Sequence, residues 1–197
     1  MNVLIACEYT GIVRDAFLAR GHNAWSCDLL PSATPGPHIQ SNVLDVIFGQ
    51  KWDLMIAHPP CTYLCSSGLH WNKRRPGRAT LTAAALDFVQ VLLNAPIARI
   101  AIENPVGRIG TAIRKADQYI QPYQFGHDAS KRTGLWLKGL PLLRSTKMVK
   151  PRMVNGRPRW ANQTDSGQNR LPPSTDRGAL RSATYRGIAA AMAAQWG

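Results

Sequence analysis

An α/β fold on a mainly parallel sheet is what this sequence predicts, and three observations carry that expectation. Short apolar runs of strand length stand at residues 3–6, 54–57 and 98–102, and each empties into residues able to do chemistry. Helical patterns lie between them, so the strands are joined by crossovers rather than hairpins. A chain of 197 residues suits one such domain with a full core.

Taken in order, Val3-Leu4-Ile5-Ala6 reads as a short buried strand. Gly11 opens an amphipathic helix through Ala19, Gly21-His22-Asn23 makes the turn, and Ala24-Trp25-Ser26-Cys27 runs into Asp28. An acid 17 residues after a glycine in a βαβ start is near the spacing of dinucleotide folds, where it binds ribose hydroxyls. The run 54–57 passes through His58 into the rigid pair Pro59-Pro60, which presents Cys61 at a strand's carboxyl end. Open α/β sheets place ligands at that edge, although a lone Pro-Pro-Cys equally describes a buried thiol beside a turn. The helix at 80–93, apolar at Ala83, Ala84, Leu86, Val89, Leu92 and Leu93, is crossover packing. After the strand at 98–102 come Glu103-Asn104-Pro105 and, one residue on, Gly107. A carboxylate there is costly to bury alone, so Glu103 is expected to face a pocket; an acid favoured by a helix N-terminus is the other reading. Leu135-Trp136-Leu137 signals a further strand. Residues 147–177, rich in Pro, Gly, Asn and Arg, read as loops and short strands, and 189–196 as a helix in which Met192 and Trp196 pack.

Five blocks in this order resemble the DNA cytosine-C5 methyltransferases. The first is Pro59-Pro60-Cys61 with Gly68, Leu64 standing in the family's Phe place, Cys65 in its Ser place and Thr62 replacing its Gln. Glu103-Asn104-Pro105 resembles the Glu-Asn-Val block, 42 residues beyond Cys61. Tyr123 to Gly139 is similar to the segment carrying two spaced arginines, with Lys131-Arg132 in their stead. Ala6-Cys7-Glu8-Tyr9-Thr10-Gly11 stands where the family has Phe-x-Gly-x-Gly, with Glu8 in the first glycine's place. The run Arg181 to Ile188 and the helix after it resemble the carboxyl-terminal helix that returns to the first strand. The resemblance looks strongest to the compact, phage-type branch. It implies a Rossmann-like class I methyltransferase fold with a very small basic target-recognition insertion, and S-adenosyl-L-methionine as cofactor. Residues 1–140 would form the catalytic region, 141–180 the short basic recognition segment, and 181–197 a helix packing back. The implied cofactor set is Ala6, Cys7, Glu8, Tyr9, Thr10, Gly11, Asp28 on the ribose, Leu29, Asp45 and Pro59. A carboxylate at Glu8 would repel a pyrophosphate but accept a bond from a methionine amino group.

Charge is segregated along the chain. Residues 1–60 hold three Lys/Arg against five acids, 61–130 eight against four, and 131–197 thirteen against two, within a total of +13. That polarity implies a neutral cofactor half and a half that faces a polyanion. The expected nucleic-acid contacts are Trp71, Lys73, Arg74, Arg75 and Arg78 just beyond Cys61, then Lys131, Arg152, Arg157 and Arg159. Trp71 is read either as a base-stacking wedge or as a buried anchor. No run of eighteen apolar residues and no signal pattern is present, so a cytoplasmic protein is expected, in the bacterial host if phage-encoded. Four cysteines (Cys7, Cys27, Cys61, Cys65) make no disulfide framework at this size. No metal is expected, because His58, Cys61, Cys65 and His70 lack a second ligand pair of metal spacing.

The implied reaction is methylation of C5 on a flipped cytosine in duplex DNA. Cys61 would be the nucleophile, helped by a positive environment, Glu103 would hold the N3 edge, and Arg132 (or Lys131) would hold O2. RNA or free dCMP as substrate, and a catalytically silent DNA-binding relative, are the other readings.

Overall fold

The computed structural model describes residues 1–174 and 177–197. The chain begins β1 (Asn2–Ala6), α1 (Ile12–Leu18), β2 (Asn23–Asp28), β3 (His38–Gln40), α2 (Val43–Gly49) and β4 (Leu54–Ala57). It continues α3 (Arg78–Leu93), β5 (Arg99–Pro105), α4 (Ile109–Ala112), β6 (Gln118–Ile120) and β7 (Thr133–Lys138). It closes with β8 (Arg152–Val154), β9 (Arg157–Arg159), α5 (Arg177–Ser182) and α6 (Arg186–Trp196). Seven strands form one sheet in the order β3-β2-β1-β4-β5-β7-β6. The first five in that order run parallel, and β7 lies antiparallel between β5 and β6.

Alternation along the strands explains the two-sided core. Val3, Ile5, Leu54 and Ile56 face α1 and α6, where they meet Phe17, Met192 and Trp196. Leu4, Ala6, Met55 and Ala57 face the opposite layer, with Ile47, Val89 and Leu92. A parallel sheet covered on both faces needs such continuous apolar strands. Trp196 is 1% exposed, and its indole donates to the Pro141 carbonyl at 3.0 Å. Trp196→Ala is therefore expected to cost about 3–5 kcal/mol, read as a lower urea midpoint.

Several sequence expectations shift. The third helix starts at Arg78 rather than 80, and its inner face is Thr82, Val89 and Leu92, while Ala83 and Ala84 are exposed. Thr82 goes inside because its hydroxyl donates to the Tyr63 carbonyl at 3.1 Å and meets Asn72, anchoring the loop that follows Cys61. The β5 strand runs on through Glu103 to Pro105, paired with β7, instead of ending at 102. Five elements went unread: β3, α2, α4, β6 and α5. For α2 a signal existed, since the Asn42 side chain caps it by accepting the Leu44 amide at 3.1 Å. Another was missed at 155–156, where Asn-Gly, both at positive φ, closes the β8–β9 hairpin. No described helix is long and apolar enough to cross a membrane.

Candidate active site at the carboxyl edge of the sheet

The strand order reverses between β1 and β4, and the carboxyl ends there diverge into a cleft of about 1160 Å³. Its walls come from every strand end nearby: Cys7 to Thr10 after β1, Asp28 after β2, His58 to Cys61 after β4 and Glu103 to Pro105 on β5. Lys131 and Arg132 before β7 and Thr184-Tyr185 before α6 close it.

The loop bearing Cys61 is held from both sides. Asn104 donates its amide to the Pro59 carbonyl at 2.7 Å, and the Cys61 carbonyl accepts the amides of Leu64 and Cys65 at 3.0 and 2.9 Å. Leu64 is buried, and its carbonyl accepts the Arg108 amide at 2.7 Å. Gly107 permits this, since any Cβ there would collide with that carbonyl. Arg78 donates to the Thr62 carbonyl at 2.9 Å and stacks on Tyr63, filling the space beside Gly68. Both glycines of the two motifs are thus close-approach positions for the same loop.

Cys61 is reached by solvent, yet its thiol is pushed up above the ordinary range. Partial burial between the cleft walls is the main cause, with Cys65 and Glu103 adding to it and Lys131 opposing. The expected activating surroundings are therefore not realised in the free protein. Glu103 has the opposite balance. Burial opposes its charge, but the His58 ring and Lys131 overcome that and hold its carboxyl below the usual range. His58 Nδ1 lies 2.9 Å from Glu103 Oε2. Glu103 is thus buried with a partner from β4, not set at a helix N-terminus.

Of the cation pair after Ser130, Lys131 and not Arg132 acts on both Cys61 and Glu103. The Arg132 guanidinium instead stacks 4.3 Å from the Tyr119 ring centre on β6. Side-chain direction decides this, and two adjacent cations in a loop give no sequence sign of it.

Glu8 is the largest departure in the cofactor region. Cys7 adopts φ 57, and this left-handed turn carries Glu8 beneath α1. There Glu8 Oε1 accepts the Val13 amide at 2.8 Å and Oε2 the Arg14 amide at 3.2 Å, in a residue only 4% exposed. The carboxylate thus caps α1, satisfying amides that a bound phosphate would otherwise take. Glu8 also lines the cleft, so its role toward a cofactor amine is shared with this cap. Cys7 itself is pushed up to about 12, mainly by burial and then by Asp28 and Cys27. Asp28 stands at the end of β2 and lines the cleft, with Oδ1 taking the Leu30 amide at 3.0 Å. Pro59, Tyr9 and Thr10 also line the cleft. Ala6 is core, Gly11 packs against Arg14, Leu29 is 72% exposed, and Asp45 is exposed on α2; none of these four lines it.

A residue the sequence did not flag organises this rim. Arg14 is fully buried and spreads its guanidinium over Ser26, Ser32, Thr34 and the Pro35 carbonyl at 3.2, 3.0, 2.9 and 3.0 Å. It ties the loop after β2 to α1, and a side chain at Gly11 or Gly36 would displace it.

The basic surface is less free than its charge implies. Arg75 and Arg74 lie 4.3 and 6.0 Å from the Trp71 ring centre, with His70 also against it, so Trp71 is half-buried and partly covered. Arg152 pairs with Asp165 at 2.6 Å, and Arg159 donates to the Asp165 carbonyl at 3.0 Å; both brace the β8–β9 hairpin. Arg157 and Lys73 are exposed. Trp160 stacks on Tyr123 at 4.3 Å, and Asn162 bonds both backbone groups of Ser130, so this segment docks beside the cleft. No group of three or more metal-ligating side chains occurs among the described residues.

One similar solved structure is a candidate DNA modification methyltransferase encoded within an Escherichia coli prophage. It aligns with a TM-score of 0.51 at 15% identity over 79% of this chain and 53% of that one. The fold is that of a Rossmann-like methyltransferase. An rRNA methylase from Escherichia coli (TM-score 0.38, 13% identity, 70% of this chain and 56% of that one) is also similar. So is the 16S rRNA methylase RmtB (0.33, 13%, 69% and 54%). The chain thus spans little more than half the length of each of these three proteins. No protein-family model and no curated protein matches the chain.

Proposed function

We propose that the protein is an S-adenosyl-L-methionine-dependent methyltransferase that modifies C5 of cytosine in DNA. The observation that carries this reading is the convergence of Cys61, Glu103 and Lys131 on one cleft at the strand-order switch point, with Asp28 on its opposite wall. The residues around that wall fit the cofactor. Asp28 keeps an oxygen for ribose hydroxyls, and Glu8 has already consumed the helix amides that a nucleotide phosphate would seek, which suits a cationic, phosphate-free ligand. When bound, S-adenosylmethionine supplies an electrophilic methyl group.

The protein's own residues would prepare the base. Cytosine C5 is a weak nucleophile until a thiolate adds at C6. Cys61, having lost its proton, forms the Sγ–C6 bond, and the C5–C6 electron pair moves toward C5. Glu103, as a carboxylate, accepts from the exocyclic amine and from N3–H once N3 has taken a proton from water as charge develops. Lys131, rather than Arg132, is the cation near the reacting groups, and it offsets charge on the thiolate and at O2. After alkylation, the C5 proton passes to water, Cys61 departs as thiolate and N3 returns its proton, which restores the aromatic ring. In a duplex the base must first leave the stack, at a cost of a few kcal/mol. Exposed cations such as Lys73 and Arg157 serve the phosphates.

The deciding experiment is mass spectrometry of nucleosides from DNA, and in parallel RNA, incubated with protein and cofactor. 5-Methylcytosine from DNA is expected; its appearance from RNA alone would move the substrate, and no product from either would end the reading. Calorimetry with S-adenosylhomocysteine tests the cofactor wall separately. Asp28→Ala is expected to lose about 1–3 kcal/mol of binding, the worth of a hydrogen bond to a charged group.

A further inference from the structure

We propose that His58 is the positioning residue for Glu103, clamping one carboxylate oxygen so that the other is presented, charged, to the target base. This rests on the reading of the cleft given above. The geometry begins at the end of β4, where the His58 amide donates to the Ala6 carbonyl at 2.9 Å and so continues the β1–β4 ladder by one residue. Pro59, next in line, is buried and fixed by Asn104, which leaves the His58 ring little freedom. The ring therefore projects sideways to β5 and meets Glu103, with only 10% and 12% of the two side chains exposed.

A carboxylate can only accept, so Nδ1 is the donating nitrogen in this pair. Nε2 is buried and finds no hydrogen-bond partner among the described residues. A ring N–H held at 2.9 Å fixes the carboxylate plane. The charged groups facing Glu103 are Lys131, which stabilises its anion, and Cys61, whose thiolate would oppose it. His58 is the hydrogen-bonding member of this arrangement. It decides where Glu103 points and, with Lys131 and Thr133, holds the carboxyl in its anionic form.

The chain contains two glutamates, Glu8 and Glu103, so a protein labelled with ¹³C at glutamate Cδ gives two carboxyl resonances. Glu8→Gln assigns them. In the wild type, Glu103 should titrate below the ordinary glutamate range. His58→Ala should move that titration upward, since a bond favouring the anion is lost. His58→Asn should keep it down, because an asparagine amide nitrogen sits near the Nδ1 position. His58→Gln should not, since its amide reaches toward the Nε2 position. Turnover should follow the same order, with His58→Ala losing about 10- to 100-fold in kcat and little in KM for cofactor, as for an oriented hydrogen bond in an electrostatic site. The acid limb of its pH–rate profile should shift to higher pH.

An unchanged Glu103 titration in His58→Ala would overturn the proposal. So would equal losses in the Asn and Gln variants with unmoved profiles, which would mark a merely structural histidine. If His58→Ala does not fold, the Asn and Gln contrast decides alone. A wild type that yields no modified nucleoside while the resonance still responds to His58 would discard the methylation reading and keep the clamp.

Discussion

DNA carrying 5-fluorocytosine is expected to form a covalent adduct with the wild type in the presence of cofactor, and Cys61→Ala is expected to form none. Fluorine at C5 cannot leave as a proton does, so the Sγ–C6 bond made in the first step is trapped. Loss of the nucleophile should reduce turnover by several orders of magnitude, as removal of a covalent catalyst does. The local structure should survive, because Cys61 holds its loop through its backbone carbonyl and its side chain is exposed. Cys65→Ala is the control. Cys65 is the next thiol along and sits 3.0 Å from the Ser67 hydroxyl, but its amide is tied to the Cys61 carbonyl one turn away. It should keep the adduct. An adduct that survives in Cys61→Ala, or that needs Cys65, would sink the assignment.

The rate should climb steeply with pH. A thiol held above its ordinary range by burial is protonated at neutral pH, and thiolate is the reacting form. Below that pKa each pH unit multiplies the thiolate fraction by about ten, so kcat/KM, which reports the free protein, should rise about 100-fold between pH 6 and 8. The sign follows from the group: raising a thiol's pKa moves its alkaline plateau upward. Lys131→Met removes a cation that favours the Cys61 anion and should push the plateau higher still. Glu103 sets the opposite limb. Its carboxyl lies below the usual range, so loss of its charge should matter only in acid. A plateau already reached below pH 8, or no response to Lys131→Met, would show that the thiolate is formed by something other than this surface. These two experiments are independent, since trapping identifies the atom and the profile its state.

Much of this protein was determined by sequence alone, wherever the cause is local. Apolar runs of strand length at 3–6 and 54–57, punctuated by Gly11 and by Pro59-Pro60, have few other stable arrangements than buried parallel strands, and they became β1 and β4. The βαβ start and the returning helix at Met192 and Trp196 follow from composition and period in the same way. Cys61 and Glu103 were legible as candidates because each follows a strand, and strand ends converge in any open parallel sheet. The tertiary structure decided what depends on direction rather than order. That Glu8 caps α1 depends on a single left-handed turn at Cys7. Lys131, whose ammonium donates to the Arg181 carbonyl, favours the Cys61 anion, while Arg132 turns to Tyr119, because adjacent residues leave a backbone on different sides. Arg152 and Arg159 are occupied within their own hairpin because Asp165 folds back to them from across a turn. His58 meets Glu103 across 45 residues of sequence. Charge counts, motifs and spacing record which groups a chain owns, and none of them records which partner a side chain finds once neighbouring strands fix its direction.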